Sequence, residues 1–94
     1  MNKKDKITVK KVKILNKKGI HARPAATLVK AANAFDSEIY LTKDEITING
    51  KSIIGLMTLA AAQGQFLEIK AIGKDSEEAV EILSEIIESK FGED

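Results

Sequence analysis

One histidine, one arginine and one proline occur in the 94 residues, and all three fall within four consecutive positions, His21-Ala22-Arg23-Pro24, inside the stretch GIHARPAATLVK. Proline has no N–H to donate, and its ring clashes with the preceding turn anywhere but the start of a helix. Pro24 therefore sets a helix start at or just after His21. The first N–H groups of a helix lack intrahelical partners, and the macrodipole concentrates positive charge there, so such an end attracts anions. Arg23 adds a planar fork of donors that matches a phosphate group better than a lysine ammonium does. The small residues Ala22 and Ala26 leave room for a close-approaching group. An imidazole is partly neutral at neutral pH, and a helix N-terminus disfavours its protonated form. A ring nitrogen of His21 is thus available as a nucleophile toward phosphorus, with Arg23 and backbone N–H groups to steady the phosphoryl oxygens. The plainer reading is a histidine that only caps the helix, beside a surface arginine. No acid or base lies near His21 in sequence. That speaks against a self-contained hydrolase and for a residue that meets its chemistry on another protein.

The elements that would position this site follow from periodicity. Val12 and Ile14 alternate with Lys11 and Lys13, the pattern of a half-buried strand ending near Leu15. Ile7 and Val9 alternate in the opposite phase, so either a bulge intervenes or they lie outside the strand. Asn16 to Gly19 reads as a turn. From Ala22 the period becomes helical, with Ala25, Leu28, Val29, Ala32 and Phe35 on one face of a helix of about four turns, closed by Asp36-Ser37. Ile39 and Leu41, then Ile46 and Ile48, alternate with polar residues as two strands joined through Lys43-Asp44. Asn49-Gly50 forms an exit turn. Ser52 caps a short helix from Ile53 to about Ala61, ended by Gly64. Leu67, Ile69 and Ala71 alternate as a fourth strand that stops at Gly73. Asp75 and Glu78 have capping-box spacing ahead of a last helix, whose buried face is Ala79, Ile82, Leu83, Ile86 and Ile87.

The order β-α-β-β-α-β-α predicts a single α+β domain over residues 1–94, with residues 1–6 as a flexible extension. Its architecture is an open-faced two-layer sandwich, a four-stranded, mainly antiparallel sheet with three helices on one face. The other face stays wet, which suits Lys11, Lys13, Glu68 and Lys70. Without cysteine, disulfides and thiolate metal sites are excluded, and no cofactor is implied. No apolar run reaches the ~20 residues of a membrane span, and the charged N-terminus lacks a signal core, so a soluble cytoplasmic protein is expected. The net charge of +1 hides a basic first third and an acidic C-terminal segment. This asymmetry suits either an acidic partner or two solvated faces. A sheet that reads RNA would carry stacking aromatics, whereas Phe35, Phe66 and Phe91 fall at element ends or on a helix and Tyr40 stands alone.

GIHARPAA resembles the active-site motif of the histidine-containing phosphocarrier protein (HPr) family of the phosphoenolpyruvate-dependent sugar phosphotransferase system. The segment KSIIGLM, Lys51 to Met57, resembles that family's regulatory-serine motif, and the likeness runs from about Lys10 to Lys90. The resemblance implies a carrier rather than an enzyme. His21 would accept a phosphoryl group on Nδ1 from enzyme I and pass it to IIA domains for sugar uptake and regulation, with Arg23 neutralising the phosphoryl oxygens. Ser52 would be the target of an ATP-dependent HPr kinase/phosphorylase; the alternative is an ordinary N-cap. Ala22, Ala26, Lys30, Ile53, Ile54 and Met57 would form the partner-binding surface around His21, with Ile53 and Met57 exposed, although core packing would also account for apolar residues there. A nitrogen-related branch of the system uses the same chemistry. Neither nucleic acid nor membrane insertion is implied, and a monomer suits a carrier that meets several partners through one face. Three departures from the family pattern are the longer N-terminal extension, Gly50, where many members carry a larger residue, and the tail Phe91 to Asp94. The tail puts in doubt any role for a terminal carboxylate.

Overall fold

The structure, a computed structural model, describes residues 6–93; residues 1–5 of the expected extension lie outside them. Four strands, β1 (Ile7–Lys13), β2 (Glu38–Lys43), β3 (Ile46–Asn49) and β4 (Phe66–Ile72), alternate with three helices, α1 (Ala22–Ala32), α2 (Ile53–Leu59) and α3 (Ser76–Glu88), in the expected order. A 3-10 turn at Lys90–Gly92 follows. All three strand pairings are antiparallel, in the spatial order β1-β4-β2-β3. The helices cover one face of the sheet. Between the layers lies one core built from Val12, Ile14, Leu28, Ile39, Leu41, Leu56, Leu59, Leu67, Ile69, Leu83 and Ile87 with smaller neighbours.

The opposite phase of Ile7 and Val9 needs no bulge. β1 pairs with β4 in unbroken register from Ile7↔Ile72 to Lys13↔Phe66. Strand period 2 puts Thr8 and Lys10 on the same face as buried Val12. Both reach α3, with Thr8 Oγ1 2.8 Å from Ser76 Oγ and Lys10 Nζ donating to Ser84 Oγ at 3.3 Å. Ile7 and Val9, 47% and 51% exposed, therefore stand on the open face beside Lys11 and Lys13. Phe66 is on that face too, with the Lys11 ammonium 5.3 Å from its ring centroid. Lys6, assigned to the extension, accepts a hydrogen bond from the Gly73 N–H on its carbonyl.

Element ends depart from the sequence expectation in four places. α1 stops a turn early at Ala32, because Asn33 caps it with both its backbone N–H and its side-chain amide on the Val29 carbonyl. The β2–β3 turn is Asp44-Glu45, one residue later than expected, with Asp44 in the left-handed region at φ 56°. α2 ends at Leu59 rather than Ala61, where Ala60 takes the left-handed conformation usually left to glycine. The capping box at Asp75 does not form. Its carboxylate accepts instead from the Asp36 and Ser37 N–H groups at 2.9 and 3.0 Å and from the Ser37 hydroxyl. It thus ties the loop after α1 to the start of α3. The buried stripe of α3 is also rotated: Val80 and Ser84 are buried, while Ile82 is 38% exposed.

Candidate functional site

The site is assembled at the N-terminus of α1. The turn before it depends on Gly19, which has φ +66° and sits so close to the next layer that a Cβ would run into the Ala61 carbonyl oxygen. Ile20 N–H bonds that same carbonyl at 2.9 Å, and its side chain enters the core. The chain thereby delivers His21 to the N-cap of α1, with extended backbone (φ −99°, ψ −167°) and its carbonyl accepting from Ala25 N–H at 3.0 Å. The imidazole makes no side-chain cap of the helix. Pro24 occupies the first turn, and both it and Ala25 are buried against the core. The N–H groups of Ala22 and Arg23 have no preceding helical carbonyl to bond, as at any helix start.

A cleft of about 640 Å³ opens here, lined by Lys17, Lys18, His21, Ala22, Arg23, Gly92 and Glu93. Three cationic side chains and a helix N-terminus thus surround one imidazole, an arrangement suited to a phosphoryl dianion. Arg23 is exposed, and among the described residues its guanidinium makes no ion pair or hydrogen bond.

An acid does stand beside His21, contrary to what neighbouring sequence suggests. Glu93 Oε2 lies 3.1 Å from His21 Nε2, and Glu93 Oε1 accepts from Asn16 Nδ2 at 3.0 Å. The side chains of His21 and Glu93 are 38% and 19% exposed. Seventy-two positions separate the two residues, so no local pattern could have paired them. Among the described residues, no group of three or more His, Cys, Asp or Glu side chains is placed to hold a metal ion.

The second motif opens α2, which packs on α1 with its Lys51-Ser52 start toward the C-terminal end of α1 and its Ala61 end against Ile20, next to His21. Ser52 is the N-cap of α2, and its Oγ accepts from Gly55 N–H at 3.0 Å. Lys51, just before it, donates to the Phe35 carbonyl at 2.8 Å. Gly50 meets Ile39 so closely that a Cβ would sit 2.6 Å from its Cγ2. Ile53, Ile54 and Met57 are 43%, 80% and 46% exposed, while Leu56 and Leu59 anchor the helix in the core. Ala22, Ala26 and Lys30 are exposed on α1.

A histidine beside a cationic cleft at a helix start, carried on an open-faced sandwich, is the arrangement that a phosphoryl-carrier type of site calls for. The chain matches the family described as "PTS HPr component phosphorylation site" over residues 8–89. It is 44% identical over 88 residues to the phosphocarrier protein HPr of Treponema pallidum, spanning 94% of this chain and all of that one. Its fold superimposes on HPr-C-His from Thermoanaerobacter tengcongensis with a TM-score of 0.89 at 46% identity, covering 93% of this chain and 98% of that one. A crystal structure described as an HPr dimer from the same organism gives 0.74 at 49% identity, over 87% and 94% of the two chains. The chain belongs to the HPr phosphocarrier family.

Proposed function

We propose that this chain carries a phosphoryl group on His21, accepting it from phospho-enzyme I and passing it to IIA domains or proteins for sugar uptake and regulation. The observation that supports the reading best is the His21 imidazole at the mouth of a cleft lined by Lys17, Lys18 and Arg23 at the start of α1. In the transfer, the Nδ1 lone pair attacks phosphorus, the bond from phosphorus to the donor breaks, and the donor keeps that electron pair. Arg23 and the free N–H groups of α1 take up the charge on the phosphoryl oxygens.

Exposed Ile53, Ile54 and Met57 beside Ala22, Ala26 and Lys30 serve as the docking surface, the apolar residues supplying contact area and Lys30 steering an acidic partner. Ser52, at the N-terminus of α2 on the same side, is a regulatory position for an HPr kinase/phosphorylase. A phosphate there suits the helix dipole while placing about −1.5 to −2 charge at the docking surface. The carrier works in the cytoplasm and as a monomer, although the dimeric relative shows that this fold also supports pairs.

The test is incubation with phosphoenolpyruvate and a bacterial enzyme I, followed by intact-mass measurement. An acid-labile gain of one phosphate, absent in His21→Ala, is the expected outcome. No gain under conditions that charge another phosphocarrier overturns the reading.

A further inference from the structure

We infer that Lys17 and Lys18 form a second phosphate clamp beside Arg23, binding the oxygens of a phosphoryl group on His21 and favouring its dianion. This rests on the phosphocarrier reading of His21. Both lysines are exposed, and both line the cleft that holds the imidazole and Arg23. Among the described residues, the ammonium groups of Lys6, Lys10, Lys43 and Lys51 donate to protein oxygens, whereas those of Lys17 and Lys18 have no such partner. Neither makes an ion pair among the described residues. The carboxylate of the cleft, Glu93, is engaged by Asn16 and His21 and leaves their charge unmatched. The groups facing a phosphoryl group on His21 are therefore Lys17, Lys18, Arg23 and the start of α1 on the positive side, and Glu93 on the negative side.

The backbone that carries the two lysines is held in place although their side chains lie in solvent. Asn16 to Gly19 is a β-turn, closed by the Gly19 N–H on the Asn16 carbonyl at 3.1 Å, with Lys17 and Lys18 at its central positions. The side chain of Asn16, fully buried, clasps the same turn by donating to the Gly19 carbonyl at 2.7 Å. Ile20 then ties the turn to the chain after α2 through its N–H on the Ala61 carbonyl. A fixed backbone leaves only side-chain freedom to be lost when the ammonium groups meet an anion. Arg23 offers a planar fork, suited to one orientation of the phosphoryl oxygens. The lysine ammoniums are compact charges on flexible stems, and they can follow the group as it arrives from the donor and leaves for the acceptor. Two such cations stabilise the charged carrier and raise its share of phosphate at equilibrium.

The experiment uses the full chain and two double variants, Lys17→Ala/Lys18→Ala and Lys17→Arg/Lys18→Arg. Each is charged by phosphoramidate, whose phosphorus is attacked by the imidazole with loss of ammonia. A nearby positive charge lowers the pKa of an acid, so losing two ammoniums raises that of the phosphoryl group. The ³¹P titration of the phosphohistidine is expected to move to higher pH in the alanine variant, by about two- to fivefold in proton affinity per lysine at low salt. The shift should shrink in ~1 M salt, where screening acts within about 3 Å. The arginine variant keeps both charges and should titrate like wild type. With phospho-enzyme I as donor, the alanine variant should hold a smaller share of the phosphate at equilibrium. An unchanged ³¹P titration in the alanine variant overturns the inference; if charging by enzyme I is nevertheless slower, the lysines dock the partner instead. Failure of wild type to charge from enzyme I overturns the carrier reading alone, since the phosphoramidate-charged ring still reports what surrounds its phosphoryl group. A ring that neither donor charges overturns both.

Discussion

Arg23 and His21 sit two positions apart but do different work, and their substitution separates chemistry from folding. The Arg23 side chain is exposed and bonds nothing among the described residues, so removing it costs the fold little. Arg23→Ala is expected to slow phosphoryl transfer by about tenfold or more, less than the ~10²–10³ of an enclosed oxyanion donor because Arg23 is exposed to solvent. Its thermal midpoint should stay within about a degree or two of wild type. Transfer kinetics set beside a melting curve check both statements, and an unchanged rate would remove Arg23 from the mechanism. At this scale the pair was legible in the sequence, because Pro24 admits only one local structure. Glu93 was not: its nearness to His21 is a property of the folded chain.

The short helix α2 owes its start to a single side chain. With only seven residues it has little intrinsic stability, and Ser52 Oγ is the acceptor that satisfies the Gly55 N–H. Ser52→Ala should lower global stability by about 1 kcal/mol, read from urea unfolding. Ser52→Asp keeps a capping oxygen and complements the helix dipole, so it should unfold near wild type. It should nevertheless weaken docking to enzyme I by placing a charge beside Ile53 and Met57. A Ser52→Asp variant that binds enzyme I as tightly as wild type would argue against the serine as a switch on this surface. The element kinds and their order were readable from periods of 2 and 3.6. Their ends were less so, because Asn33 and Ala60 close α1 and α2 through contacts and backbone conformations that composition does not announce.

For the molecule as a whole, Asp75 is the carboxylate that ties one helix to another. The hydrogen bond from the Ser37 hydroxyl, joined by the Asp36 and Ser37 N–H groups, holds its pKa below the ordinary carboxylate value against an opposing effect of burial. A depressed folded-state pKa contributes stability that is complete above the unfolded value of about 4, and that is lost as pH falls through the folded value. Wild type should therefore lose stability progressively as pH drops below about 4. Asp75→Asn should be less stable at pH 7 and should lose less on acidification. Urea midpoints at pH 7 and pH 3 test this; equal acid losses in both proteins would show that the link does not act through the Asp75 charge.

Sequence alone determined the layer order, the single core, and the position of one histidine at a helix start with an arginine beside it. Proline, glycine and hydrophobic period act over a few residues, and such constraints survive without knowledge of the fold. Tertiary structure decided what faces what. The capping pattern at Asp75 was overridden by the backbone N–H groups of a distant loop, and apolar Ile7 and Val9 were turned outward because Thr8 and Lys10 pair with α3. It also brought the carboxylate of Glu93 onto His21. Each is a contact between residues more than thirty positions apart, and only closure of the whole sandwich sets such distances.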